Sequence, residues 1–159
     1  HMEHSGVDLR YLDPDTNEKY LPYVIEPSVG LDRLLYALLV DSYTKEELES
    51  GEIREVLKIH PALAPIKVTI LPLIKKVHGD KAMDLYGDLA KYFMCSIDMT
   101  GSIGKRYRRS DAIGTPLCIT VDDETINNNT VTVRNRDTME QITLPISELK
   151  DYIEDVIKF

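Results

Sequence analysis

Two short runs place charged and flexible residues at spacings suited to chemistry. In Glu26-Pro27-Ser28-Val29-Gly30-Leu31-Asp32-Arg33, a carboxylate, a hydroxyl and an unhindered backbone position precede an arginine. The carboxylate can hold an ammonium group. The hydroxyl can donate or accept a hydrogen bond, and the guanidinium can pair with phosphate or stack on a base ring. An ordinary capped turn with a surface arginine accounts for the same residues. The second run extends from Met99 to Asp111. Gly101 and Gly104 loosen the backbone, and Gly104-Lys105-Arg106-Tyr107-Arg108-Arg109 carries four cations in six residues. Cations interleaved with an aromatic ring suit a phosphate backbone and a stacked base. The alternative is a basic helix face neutralised by local acids. The run is not a phosphate-binding loop of the Walker type, because the first glycine and the residue after the lysine do not fit.

No catalytic side chain and no metal ligand is expected. His60 lies in a proline-rich turn and His78 precedes Gly79, neither beside a serine or cysteine nucleophile. No histidine and acid spacing suits zinc. Cys95 and Cys118 cannot make a disulfide framework and read as buried thiols in a reducing compartment. Asn128-Asn129-Thr130 fits a glycosylation sequon but reads as a turn.

The elements that must position these runs follow from periodicity. Val7, Leu9 and Tyr11 alternate, Asp13-Pro14-Asp15-Thr16-Asn17 breaks the run, and Tyr20 to Glu26 predicts a second strand of a hairpin. Ser28 is a candidate N-cap for a helix whose Leu31, Leu34, Leu35, Leu38 and Leu39 share a face, with Arg33 pointing away. Residues 41–58 carry five glutamates and predict a solvated linker with some helix. Beyond His60-Pro61 the pattern is α/β. It predicts strands at 66–74, 95–99, 116–121, 130–134 and 139–144, and a polar turn at 122–129. It also predicts one helix capped by Asp80 and a last one capped by Ser147. Alternating strands and helices followed by a hairpin and a helix predict a mixed five-stranded sheet flanked by helices.

Composition limits the partners. The 159 residues carry 19 Lys and Arg against 27 Asp and Glu, a net charge of −8. Such a chain does not attract nucleic acid by bulk charge, so any contact needs a local basic patch. The longest apolar stretch, Leu34 to Val40, falls far short of the roughly 18 residues that span a bilayer. No membrane association is expected.

Taken together, the two runs resemble class II glycyl-tRNA synthetases. Tyr23 to Arg33 resembles motif 3 of that family's catalytic domain, and Pro61 to Val68 resembles the start of its anticodon-binding domain. Gly101 to Pro116 resembles the most distinctive stretch of that domain, and Thr130 to Arg134 with Arg136 to Gln141 extends the match. The resemblance covers residues 5 to 159. Ala112 departs from the acid often found there.

The resemblance implies a sheet of the class II anticodon-binding type, preceded by a hairpin and helix belonging to a catalytic domain. Residues 1–2 are expected to be a cleaved tag, 3–45 the catalytic-domain remnant, 46–60 the linker and 61–159 the anticodon-binding domain. It implies a cytoplasmic homodimer that activates glycine with ATP and Mg²⁺ and transfers it to glycine tRNA. Glu26, Pro27, Ser28, Val29 and Gly30 would line the glycine pocket. Gly30, Leu31, Asp32 and Arg33 would contact ATP. Lys105, Arg106, Arg108 and Arg109 would meet tRNA phosphates, with Arg134 and Arg136 near the bases. Motifs 1 and 2 have no counterpart here, so this stretch alone is expected to be inactive and to hold no cofactor tightly. The alternative is a non-catalytic nucleic-acid-binding or accessory module on the same fold.

Overall fold

The computed structural model describes all residues from His1 to Phe159. The chain divides into two compact units, His1–Leu34 and Leu35–Phe159. In the first, a short helix α1 (Met2–Ser5) precedes a two-stranded hairpin of β1 (Tyr11–Leu12) and β2 (Lys19–Tyr20). The Asp13 carboxylate accepts from the Asp15 amide at 2.9 Å, and Asn17 closes the turn at φ 55°. Tyr11 and Tyr20 pair edge to face at 5.8 Å. The strand expected from Tyr20 to Glu26 stops at Tyr20, and residues 21–30 are irregular. Pro22 has no amide proton to give a ladder.

The helix α2 (Leu31–Ser42) begins after Gly30, whose carbonyl accepts from the Leu34 amide. Gly30 rather than Ser28 therefore sits at its start. The leucine stripe is uncovered: Leu31, Leu34, Leu35 and Leu39 are exposed.

The acidic segment expected as a linker is an antiparallel hairpin of β3 (Tyr43–Glu47) and β4 (Ile53–Leu57). Arg54 and Val56 alternate as its buried residues. That period of two was masked by the charges.

The main sheet begins with β5 (Val68–Pro72), buried throughout. Helix α3 (Lys75–Leu89) leads to β6 (Cys95–Ile97), and α4 (Ile103–Ala112) leads to β7 (Leu117–Val121). Strands β5, β6 and β7 are parallel, with β5 between the other two. A six-residue helix α5 (Asp123–Asn128) replaces the expected polar turn. Asp122 and Thr125 form a capping box there, and Asn129 ends the helix at φ 53°. Antiparallel β8 (Thr130–Asn135) and β9 (Gln141–Pro145) complete the order β6-β5-β7-β8-β9. A 3-10 turn at Ile146–Glu148 contains Ser147 and precedes α6 (Leu149–Val156). Ser147 is thus not the cap of α6. Nor does Asp80 cap α3, which starts at Lys75. There the His78 ring accepts the Ile74 amide at 3.0 Å.

The sheet has two chemically different faces. Val68, Ile70, Leu117, Ile119, Val121, Val131 and Val133 form one core with Ala82, Leu85 and Leu89 of α3 and Leu149 and Ile153 of α6. Side chains alternate across the pleat, so Thr69, Cys118, Thr120 and Arg134 occupy the other face. Helix α4 meets that polar face: the Tyr107 and Thr120 hydroxyls are 2.7 Å apart. No helix is long and apolar enough to cross a membrane.

Burial pushes the Cys118 thiol up to about 12 and the Cys95 thiol up to about 11. Thiolate is the reactive form. Neither cysteine is expected to react with a disulfide reagent at pH 8 in the folded chain, and both are expected to react once urea unfolds it. One thiol titrating rapidly in native buffer would contradict this.

Candidate nucleic-acid interface

Helix α4 follows a glycine loop. Gly101 has φ +78°, and Ser102 is extended before the first turn. The helical repeat then divides the basic run between two faces. Lys105, Arg108 and Arg109 face outward, whereas Arg106 is buried. Arg106 donates from Nη1 to the Pro72 carbonyl at 2.6 Å and from Nε and Nη2 to the Gly101 carbonyl. It ties the end of β5 to the glycine loop. Arg109 Nε donates to Asp98 at 2.9 Å. Burial raises the Asp98 pKa, but the Thr100 amide and Arg109 together bring it below the ordinary carboxylate value. Arg108 Nη2 lies 3.1 Å from the Glu52 carboxylate. Lys105 has no ion-pair partner.

Arg134 and Arg136 are also buried. Arg134 donates to both Asp111 oxygens, at 2.9 and 3.2 Å, and its guanidinium lies 4.8 Å from the Tyr107 ring centre. Arg136 donates to the Gly114 carbonyl and to Asp137, each at 2.8 Å. Three of the six cations expected at tRNA are thus occupied inside the protein. The physical reason is that a buried guanidinium must have its donors met. Arg106 is held by carbonyl groups, Arg134 by Asp111, and Arg136 by Asp137 and the Gly114 carbonyl.

Two residues that the sequence reading did not single out organise this region. Asp111 is fully buried and accepts from Arg54 Nε at 2.8 Å as well as from Arg134. Arg54, also fully buried, donates to Glu46 at 2.6 Å and to the Arg136 carbonyl. Burial lowers the Arg54 pKa, but Asp111 and Glu46 more than offset this and leave it above its ordinary value. Lys58, then Arg54, hold the Glu46 carboxyl below its ordinary value despite partial burial. A detectable signal existed: Arg54 is a lone arginine in an acidic run, two residues from Val56.

The outward side of α4 borders an open cleft of about 470 Å³. Leu48 and Glu52 of the hairpin tip line one side, and Lys105, Tyr107 and Arg108 another. Arg134, Met139 and Gln141 complete it. Cations, an aromatic ring, an amide and one carboxylate give this cleft the donors and acceptors for a phosphate and an unpaired base.

The first run is arranged differently. Glu26, Pro27, Ser28, Val29 and Gly30 lie in the irregular stretch, and Leu31, Asp32 and Arg33 in the first turn of α2. All eight are exposed, and the side chains of Glu26, Ser28, Asp32 and Arg33 make no hydrogen bond or ion pair. The donor set fits the ammonium of an amino acid and the phosphates or ring of a nucleotide. It does not fit a magnesium ion by itself, since no three acidic or ligating side chains converge.

The anticodon binding domain model matches residues 67–156. All 159 residues align at 58% identity with the glycine–tRNA ligase of Clostridium tetani and at 57% with that of Clostridium beijerinckii. The chain spans 34% of the length of each of those relatives. The RNA binding domain of threonyl-tRNA synthetase from Cryptosporidium parvum is similar in structure, with a TM-score of 0.57 at 22% identity. That similarity covers 62% of this chain and 25% of the other. Prolyl-tRNA synthetase from the same organism gives 0.58 at 23% identity, over 71% of this chain and 31% of that one. These two likenesses show the fold: a mixed five-stranded sheet flanked by helices, as in class II synthetase anticodon-binding domains. With the family model spanning more than half its length and the β6-β5-β7-β8-β9 sheet in place, the chain belongs to the anticodon-binding domain family.

Proposed function

We propose that this chain is the anticodon-recognising part of a glycine–tRNA ligase, and that its RNA surface is the outward side of α4 with the adjoining cleft. The observation that carries the reading is the row Lys105, Arg108 and Arg109 on the outward side of α4, with Lys105 and Arg108 lining the cleft, in a chain of net charge −8. Against that background an outward cationic row is a local attraction for phosphate. Tyr107 and Gln141 supply the stacking face and the hydrogen-bonding edge. Arg106, Arg134 and Arg136 build the surface from beneath.

The whole protein would activate glycine with ATP and Mg²⁺ and pass it to glycine tRNA, as a homodimer in the cytoplasm. The naming of the relatives supports this. Within it, Glu26 and Ser28 would hold the glycine ammonium and Arg33 the nucleotide. Transfer of this kind depends on positioning and charge stabilisation rather than on a side-chain nucleophile. Every residue of the 26–33 run is open to solvent, so this chain alone is not expected to form glycyl-adenylate.

The test is binding of the chain to glycine tRNA and to a non-cognate tRNA across a salt series. Lys105→Ala and Arg108→Ala are each expected to weaken binding and to reduce the slope of log K against log salt by about one. Wild-type affinity and slope in both variants, or no RNA binding by the parent chain, would remove this surface as the interface.

A further inference from the structure

We propose that Glu52 is a tethered competitor for the RNA phosphate at Arg108, so that RNA must displace it to bind. This rests on the RNA surface argued above and adds a specificity-determining residue to it.

The placement is built by the hairpin. The Leu48 amide donates to the Glu52 carbonyl at 3.0 Å, and the Gly51 amide donates to the Leu48 carbonyl at 2.8 Å. Gly51 at φ +78° makes that reversal without side-chain strain. Two residues beyond the tip, Arg54 is fully buried and bonded to Asp111, Glu46 and the Arg136 carbonyl. The hairpin is therefore fixed close to its tip to the body that carries α4. Glu52 is held beside Arg108 across 56 positions of sequence while remaining open to water.

The pair is poised for exchange. The side chains of Glu52 and Arg108 are 62% and 31% exposed, and neither has a second ionic partner. Exposed pairs are weak, and a phosphate offers the same guanidinium a stronger, charge-assisted bond. The Asp98–Arg109 pair is built differently. Asp98 also accepts from the Thr100 amide at 2.9 Å and its side chain is only 22% exposed, so it stays bound to its own loop. Of the two carboxylates paired with the outward arginines of α4, only Glu52 can leave freely. Until it leaves, its charge repels any polyanion that lacks further contacts in the cleft. The consequence is a filter: a ligand that offers phosphate alone gains little at Arg108, whereas one that also fills the cleft offsets the exchange.

The test uses the full 159-residue chain with glycine tRNA, comparing the parent, Glu52→Gln, Arg108→Ala and the double variant. Glutamine keeps the shape at an exposed position, so folding is not at risk. Glu52→Gln is expected to bind about two- to fivefold more tightly at low salt. The gain should shrink as salt rises and be absent in the Arg108→Ala background. Equal binding by parent and Glu52→Gln would overturn this proposal and leave the RNA surface standing. Weaker binding by Glu52→Gln would overturn it too, making Glu52 an acceptor for a base amino group. A chain that binds no RNA in any form would overturn the proposed interface and this proposal with it.

Discussion

Asp111→Ala is expected to lower the unfolding free energy by about 3–5 kcal/mol, read as a shifted urea midpoint. Asp111 is fully buried and accepts from Arg54 at 2.8 Å and from Arg134 at 2.9 and 3.2 Å. Its removal leaves Arg54 with Glu46 and a carbonyl, and leaves Arg134 stacked on Tyr107 with no carboxylate. Neither guanidinium can lose its proton at ordinary pH, so both charges stay and must be rehydrated. Opening the hairpin from α4 is the obvious route. Asp111→Asn should cost somewhat less, because the amide oxygen still accepts one bond. The companion variant Arg54→Met/Asp111→Leu/Arg134→Met removes all three charges together. It should recover most of the loss, since apolar replacement of a buried ionic cluster is often neutral or stabilising. An Asp111→Ala loss below about 1 kcal/mol, the scale of an exposed pair, would show that water already reaches this site.

The same residues show where sequence reading succeeded and where it ended. The five strands at Val68–Pro72, Cys95–Ile97, Leu117–Val121, Thr130–Asn135 and Gln141–Pro145 were legible because their residue types run largely apolar or alternate apolar with polar. The leucine run of α2 was legible as a helix but not as an exposed one, because periodicity reports a face and not what covers it. The β3–β4 hairpin was hidden because one of its two buried residues is Arg54 and its exposed residues mix charged side chains with Tyr43 and Ile53. A pattern counted in apolar residues cannot register an arginine that is buried with a carboxylate. The basic run was legible as chemistry, but its division was not. Arg106 and Arg108 are adjacent in composition yet point to opposite sides of α4, and only tertiary contacts decide which side is wet. Asp111 lies inside the recognised string and was still missed, since its partners Arg54 and Arg134 are 57 and 23 positions away. Long-range pairing of this kind leaves no local spacing to read.

Gly114→Ala is expected to cost about 2–5 kcal/mol, from two additive sources. The first is conformational. Gly114 has φ +82° just beyond the end of α4. Its amide donates to the Asp111 carbonyl and the Thr115 amide donates to the Ser110 carbonyl, the paired bonds that close a helix with a left-handed residue. A side chain in that conformation costs about 1–2 kcal/mol. The second is steric. A Cβ here would lie 2.9 Å from Ile59 Cγ2, 3.1 Å from the Leu57 carbonyl and 3.2 Å from Leu57 Cδ2. Relieving such overpacking costs about 1–3 kcal/mol. The contacts cannot simply slide, because the Gly114 carbonyl is bonded to Arg136 and the neighbouring hairpin is fixed by Arg54. Gly101→Ala separates the two sources. Gly101 has nearly the same φ, +78°, but nothing lies within 4 Å of its would-be Cβ. It should show the conformational cost alone. Equal urea midpoints for the two variants would mean that the hairpin gives way at Gly114. The close seat of Leu57 and Ile59 against the end of α4 would then not help to hold Glu52 and Arg108 together.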